Sequence, residues 1–175
     1  MYNMSQKADM IAVIDDEEVN RFIIGNFFKE QFKIMEAEDG QKGIALIEEN
    51  YQSIAVILLD LIMPVIDGFG VLEYLKSKPE LSNIPVILIT GDNSVETEEK
   101  SFAYGVYDFI SKPFEPRIVM RRVKNAIDHY YHTTSLEEAV DEKTKKIREQ
   151  SEILDHNNEI MIDALSSVVE FRNLE

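Results

Sequence analysis

An α/β fold on a five-stranded parallel sheet is the architecture that this 175-residue sequence predicts. Three observations carry that reading. Short apolar runs rich in β-branched and aliphatic residues recur five times, as buried parallel strands do. Segments with helical spacing of apolar residues separate them, and such alternation puts helices on both faces of a sheet. Past Pro116 the chain has neither glycine nor proline, so a helix that starts there meets nothing that would stop it.

The elements follow in order. Met10–Ile14 is the first strand, and Val19, Phe22, Ile23 and Phe27 mark the first helix. Lys33–Ala37 is the second strand, followed by a helix marked by Ile44, Ala45 and Ile47. Ile54–Leu59 is the third strand; Phe69, Val71, Leu72 and Leu75 give the helix after it. Ile84–Ile89 is the fourth strand. Its helix, VETEEKSFAY from Val95 to Tyr104, is mostly polar and carries the weakest apolar pattern of the five. Tyr107–Ile110 is the fifth strand, and Pro116 suits the first turn of the last helix.

That last helix reads as a coiled coil. Every seventh residue gives Ala126, Thr133, Val140, Ile147, Leu154, Met161 and Val168; a parallel series gives Val123, Tyr130, Glu137, Thr144, Ser151, Asn158 and Leu165. The first series is apolar but for Thr133, the second half polar. Polar core positions favour one register and a low oligomer state at a cost in stability. The expected product is a homodimer through a helix about 80 Å long at 1.5 Å per residue. The expected organisation is a globular domain over 1–130, a coiled-coil helix over 131–165, and the start of a further, truncated domain over 166–175.

Composition narrows the function. Without cysteine there is no disulfide and no thiolate metal site. No run approaches the about 18 apolar residues of a membrane span, and MYNMSQKADM lacks a signal-peptide pattern. A reducing cytoplasm is the expected location, without membrane contact. The formal net charge of −15 argues against direct nucleic-acid binding.

The chemistry sits at the strand ends, where open parallel sheets bind ligands. Strand one ends at Asp15-Asp16, strand three at Asp60, strand four at Thr90, and strand five is followed by Lys112-Pro113. Three carboxylates at one edge repel one another and call for a hard divalent cation, for which Mg²⁺ with few carboxylates and several waters is suited. Such an ion would hold an incoming phosphoryl group and leave one Asp60 oxygen as nucleophile. Lys112 can pair with a phosphate oxygen, Thr90 can donate to another, and Pro113 is a natural site for a cis peptide that would aim Lys112 inward. Asp67-Gly68 reads as a turn into helix three, Met63-Pro64 as loop-shaping, and Asp15 alternatively as a helix N-cap.

The segments VIDDEE, LLDLIMPVIDG, ILITG and YDFISKPF, in this order on these strand ends, resemble the receiver domain of bacterial two-component response regulators over about residues 8–130. The resemblance implies a flavodoxin-like (βα)5 fold with strand order 2-1-3-4-5. It implies Asp60 as phosphoacceptor, and Mg²⁺ held by Asp15, Asp16, Asp60 and the backbone carbonyl of Ile62. Thr90, Gly91 and Lys112 would contact the phosphate, and Thr90 with Phe109 would form the switch. A sensor histidine kinase or phosphotransfer protein would be the donor.

The C-terminal MIDALSSVVEFRNLE resembles the opening of HD-GYP cyclic-di-GMP phosphodiesterases through Glu170, Arg172 and Asn173; the His-Asp and Gly-Tyr-Pro motifs of that class are absent from this chain. Other outputs compatible with such a receiver are an adaptor that docks a partner through the helix, a diguanylate cyclase and a DNA-binding regulator. His156 has the wrong flanks for a kinase phosphoacceptor, since Asn157-Asn158 follow it. His129 and His132, three apart on one helix face, lack a third metal ligand.

Overall fold

Five strands pair in parallel in the order β2-β1-β3-β4-β5. The computed structural model describes residues 8–92 and 94–172, with side chains described except at 138 and 165–172. The elements run β1 (Met10–Ile14), α1 (Glu18–Phe28), β2 (Lys33–Ala37), α2 (Gly40–Asn50), a 3-10 turn (Tyr51–Ser53), β3 (Ile54–Asp60), α3 (Gly68–Ser77), β4 (Val86–Thr90), α4 (Val95–Ala103), β5 (Asp108–Ser111) and α5 (Pro116–Arg172). β4 starts two residues later than its apolar run suggests, because Pro85 has no N–H to give the ladder; its carbonyl still accepts from the Ile57 amide at 2.9 Å.

β3 is central, and all seven of its residues are buried. Its side chains divide between two apolar layers. Ile57 and Leu59 pack with Ile14, Ile47, Val71, Leu72 and Leu88 on the α2–α3 side. Val56 and Leu58 pack with Val13, Ile24, Ile87, Val119 and Val123 on the α1–α5 side. Each fully buried Leu or Ile contributes about 1.5–3 kcal/mol relative to exposure, so the two layers together hold the sheet between its helices.

The chain divides after Tyr131 into two compact units. Val119, Val123, Ala126 and Ile127 on the first turns of α5 are buried in the α1–α5 layer. Val123 and Ala126 therefore belong to the globular core and not to a coiled-coil seam; their spacing is the 3.6-residue stripe of a helix lying on a sheet. Tyr131 donates its hydroxyl to the Ala8 carbonyl. Beyond it, α5 exposes Leu136, Val140, Ile147, Ile153, Leu154, Ile160, Met161 and Ile162. Asn173 lies outside the described residues, as do the side chains of Leu165, Val168, Glu170 and Arg172. Among the described residues no helix is long and apolar enough to cross a membrane.

Candidate functional site

The parallel register brings the strand ends to one edge. Ile14 pairs with Leu59, Asp60 with Ile89, and Thr90 with Ser111. Asp15 and Asp16 follow β1, Asp60 closes β3, Thr90 closes β4, and Lys112 follows β5. Carboxylate oxygens of Asp15, Asp16 and Asp60 lie within 4.8 Å of one another. Asp60 is 4% exposed and Asp15 1%, while Asp16 faces solvent.

The Lys112 ammonium offsets this charge. Its Nζ is 2.6 Å from Asp60 Oδ2 and 3.0 Å from Asp15 Oδ2. Burial pushes the Asp60 carboxyl above the usual aspartate range, and the nearby Asp15 charge adds to this; the Lys112 hydrogen bond pulls the other way without reversing it. Burial alone would depress Lys112, but hydrogen bonds to Asp60 and Asp15 and their charges outweigh it, so the ammonium is held more firmly than in water. The Lys112–Pro113 peptide is cis.

Asp15 accepts from the Glu17 amide at 2.9 Å, from Asn20 Nδ2 at 3.2 and 3.1 Å, and from Lys112. Its carboxylate is therefore nearly saturated by protein donors, and Glu17, not Asp15, occupies the N-cap of α1. Arg21, on the next turn of α1, donates from Nη1 to the carbonyl oxygens of Asp15 at 2.7 Å and of Asp16 at 3.2 Å. Its Nε lies 3.4 Å from Glu36 Oε2 on β2. Neither Asn20 nor Arg21 was marked by any sequence pattern: Asn20 reaches back to the Asp15 and Glu17 carboxylates, and Arg21 to two backbone carbonyls and a carboxylate on β2.

The loop after Asp60 is built tightly. Asp67 caps α3 by accepting from the Gly70 amide at 2.8 Å. Gly68 is more than a turn residue: a Cβ there would stand 2.5 Å from the Asp60 carbonyl oxygen and 2.8 Å from Leu61 Cα. Its amide donates to the Leu61 carbonyl at 2.9 Å. A side chain at position 68 would displace the backbone that carries Asp60. The Ile66 amide donates to the Pro64 carbonyl at 2.8 Å across Val65, whose φ is +69°. This is a γ-turn, and a β-branched residue in it is a strained choice that sequence reasoning does not anticipate. The Ile62 amide lies 3.3 Å from Asp60 Oδ1, and the Ile62 side chain is exposed.

Thr90 is buried; its Oγ1 accepts from the Asp92 amide at 3.0 Å, and its carbonyl accepts from the Lys112 amide at 2.8 Å. The hydroxyl proton is thus left for another acceptor. A Cβ on Gly91 would meet nothing within 4 Å. Phe109 is half-buried and stacks edge-on to the exposed Phe102 of α4, centroids 5.1 Å apart. His129 packs against Tyr107 at 5.2 Å, and His156 is exposed. Among the described residues, Asp15, Asp16 and Asp60 form the one group of three or more His, Cys, Asp or Glu close enough to share an ion. All-oxygen donors with one open, solvent-facing member fit a hard divalent cation.

Comparisons with known proteins agree with this fold. A family model described as response regulator receiver domain matches residues 11–124. A probable cyclic di-GMP phosphodiesterase of Vibrio cholerae is 26% identical over 165 residues, 94% of this chain and 37% of that protein. Transcriptional regulatory protein SrrA of Staphylococcus aureus is 36% identical over 125 residues, 71% of this chain and 50% of that protein. The chain thus spans half or less of these curated relatives. Among solved structures, the receiver domain of the Francisella response regulator 1452 superposes with a TM-score of 0.63 at 28% identity, covering 69% of this chain and 98% of that one.

Proposed function

This chain belongs to the response regulator receiver family, and on that premise we propose that Asp60 is the residue that takes up a phosphoryl group. The observation that carries the proposal is a carboxylate buried at a strand tip, 2.6 Å from an ammonium and within 4.8 Å of two further carboxylates. An isolated buried carboxylate is costly, and this one is surrounded by what phosphoryl transfer needs. The donor is a phosphohistidine on a sensor kinase or phosphotransfer protein in the cytoplasm. An Asp60 oxygen forms the new bond to phosphorus as the phosphorus–nitrogen bond breaks and the imidazole leaves. Lys112 moves its contact from Asp60 to a phosphoryl oxygen, and the Thr90 hydroxyl donates to another. Asp15, Asp16, Asp60 and the Ile62 carbonyl would hold Mg²⁺. When bound, that ion neutralises charge on the transferring group. Withdrawal of Thr90 toward the phosphate opens room for Phe109 to turn from Phe102, a two-state change on the α4–β5 face.

We assign residues 1–130 to the receiver, 131–165 to a signalling helix and 166–175 to the start of an output domain. A cyclic-di-GMP phosphodiesterase of the HD-GYP class is the favoured output. The similarity to the Vibrio cholerae protein runs through 94% of this chain, whereas that to SrrA covers 71%. The signalling helix pairs with a second copy through Val140, Ile147, Leu154 and Met161, seven residues apart and 58–66% exposed. Labelling by acetyl phosphate with Mg²⁺ tests the core of this reading: the wild-type chain takes up label and Asp60→Asn takes up none. Undiminished labelling of Asp60→Asn refutes it. Finding a DNA-binding domain encoded directly after Glu175 would refute the phosphodiesterase output.

A further inference from the structure

We propose that Arg21 is a positioning residue for the cation site, acting through the backbone of the acid pair without touching the ion. The inference rests on the reading of Asp15, Asp16 and Asp60 as that site. Three carboxylates within 4.8 Å repel one another, and Asp16 is solvent-exposed, with only its backbone held by a hydrogen bond among the described residues. Asp15 is held through its own side chain by Glu17, Asn20 and Lys112. Asp16 has no such side-chain support among the described hydrogen bonds. Its carbonyl is instead held by Arg21 Nη1 at 3.2 Å, and the same nitrogen holds the Asp15 carbonyl at 2.7 Å. One mostly buried guanidinium therefore grips both peptide units of the β1–α1 link.

The grip is itself anchored. Arg21 Nε reaches Glu36 Oε2 on β2 at 3.4 Å, and the Arg21 amide donates to the Glu17 carbonyl at 3.2 Å. One side chain thereby ties α1, the acid-bearing link and the sheet edge together. The planar fork is needed for this, because a lysine ammonium cannot serve two carbonyls and a carboxylate in those directions at once. A competing expectation is that a nearby cation repels a metal ion, so that losing Arg21 would tighten binding. Glu36 already offsets that charge, and the two carbonyls face the guanidinium with their negative ends. Positioning outweighs repulsion.

The test is binding of Mn²⁺ alone, read from the free-ion electron paramagnetic resonance signal, and of Mg²⁺ alone by calorimetry. Arg21→Lys keeps the charge and loses the fork, and its dissociation constant should rise about tenfold, the lower end of what outer-shell partners of metal ligands contribute. Melting in chelator, run alongside, separates this from loss of fold. Affinity equal to or tighter than wild type in a folded Arg21→Lys chain overturns the proposal, even if that chain melts lower. Should Arg21→Lys not fold, Glu36→Ala decides: Glu36 is half-exposed and outside the acid group. Its removal should weaken binding severalfold, and unchanged binding overturns the proposal. A wild-type chain that binds neither ion fails the underlying site reading instead.

Discussion

The two units on either side of Tyr131 treat their apolar residues in opposite ways. In the first, β3 buries every side chain, and Ile57, Leu58 and Leu59 have no exposed area. In the second, Val140, Ile147, Leu154 and Met161 each show more than half their surface. The first unit encloses its central sheet with its own helices, although Val19, Phe22, Ile62, Val65 and Val95 stay exposed on its surface. The second presents a repeating apolar row that water does not favour, which is the condition for association with another helix. On the proposed pairing, a single chain joins a part whose stability is internal to a part whose stability depends on concentration.

The largest effect should come from the core. Leu58→Ala removes a fully buried side chain from the middle strand and should cost about 2–5 kcal/mol in urea unfolding. Ile147→Ala should leave receiver unfolding within about 0.5 kcal/mol of wild type. Similar losses from both would erase the contrast between the units.

The next effect concerns association. Ile147→Lys with Leu154→Lys should shift the chain from dimer to monomer in sedimentation while phosphate labelling of the receiver persists. A dimer that survives both changes would mean that the apolar row is not the contact.

The third effect is electrostatic and lies within the first unit. Burial raises Asp60, so between the ordinary aspartate value, about 3.9, and its raised value the folded chain holds a proton that the unfolded chain has lost. Stability conferred by that proton falls as pH rises through this window. In chelator at neutral pH, Asp60→Asn should therefore melt a few degrees above wild type, and the gain should vanish as pH drops below the window. A neutral-pH melting point equal to or below wild type would mean that Lys112 fully compensates Asp60.

The smallest effect is at the aromatic contact. Phe102→Ala removes an edge-on partner of Phe109 worth about 0.5–1.5 kcal/mol. It should favour the inward Phe109 state, seen as tighter binding of beryllofluoride, an acyl-phosphate mimic. Unchanged binding would uncouple α4 from the switch.

Much of the fold was legible because parallel strands leave simple marks. Five apolar runs and their turn residues correspond to β1 to β5, and the acids and lysine at their ends meet at one edge because parallel strands all point the same way. What stayed hidden depended on tertiary contacts. Heptad spacing could not tell Val123 and Ala126, which are buried in the core, from Val140 and Ile147, which are exposed. Arg21 reads as an ordinary helix-surface residue until the carbonyls of Asp15 and Asp16 turn toward it. Val65 has no composition that signals a positive φ, and Gly68 looked like a turn residue because its approach to the Asp60 backbone is invisible in one dimension.

The central claim is that Asp60 forms the acyl phosphate, and chemical trapping tests it most directly. Borohydride reduces an aspartyl phosphate to homoserine with release of phosphate. After incubation with acetyl phosphate and Mg²⁺, borohydride treatment and peptide mass mapping should find homoserine at position 60. Homoserine at position 15 or 16 with unmodified Asp60, or none anywhere in a labelled chain, would contradict the account.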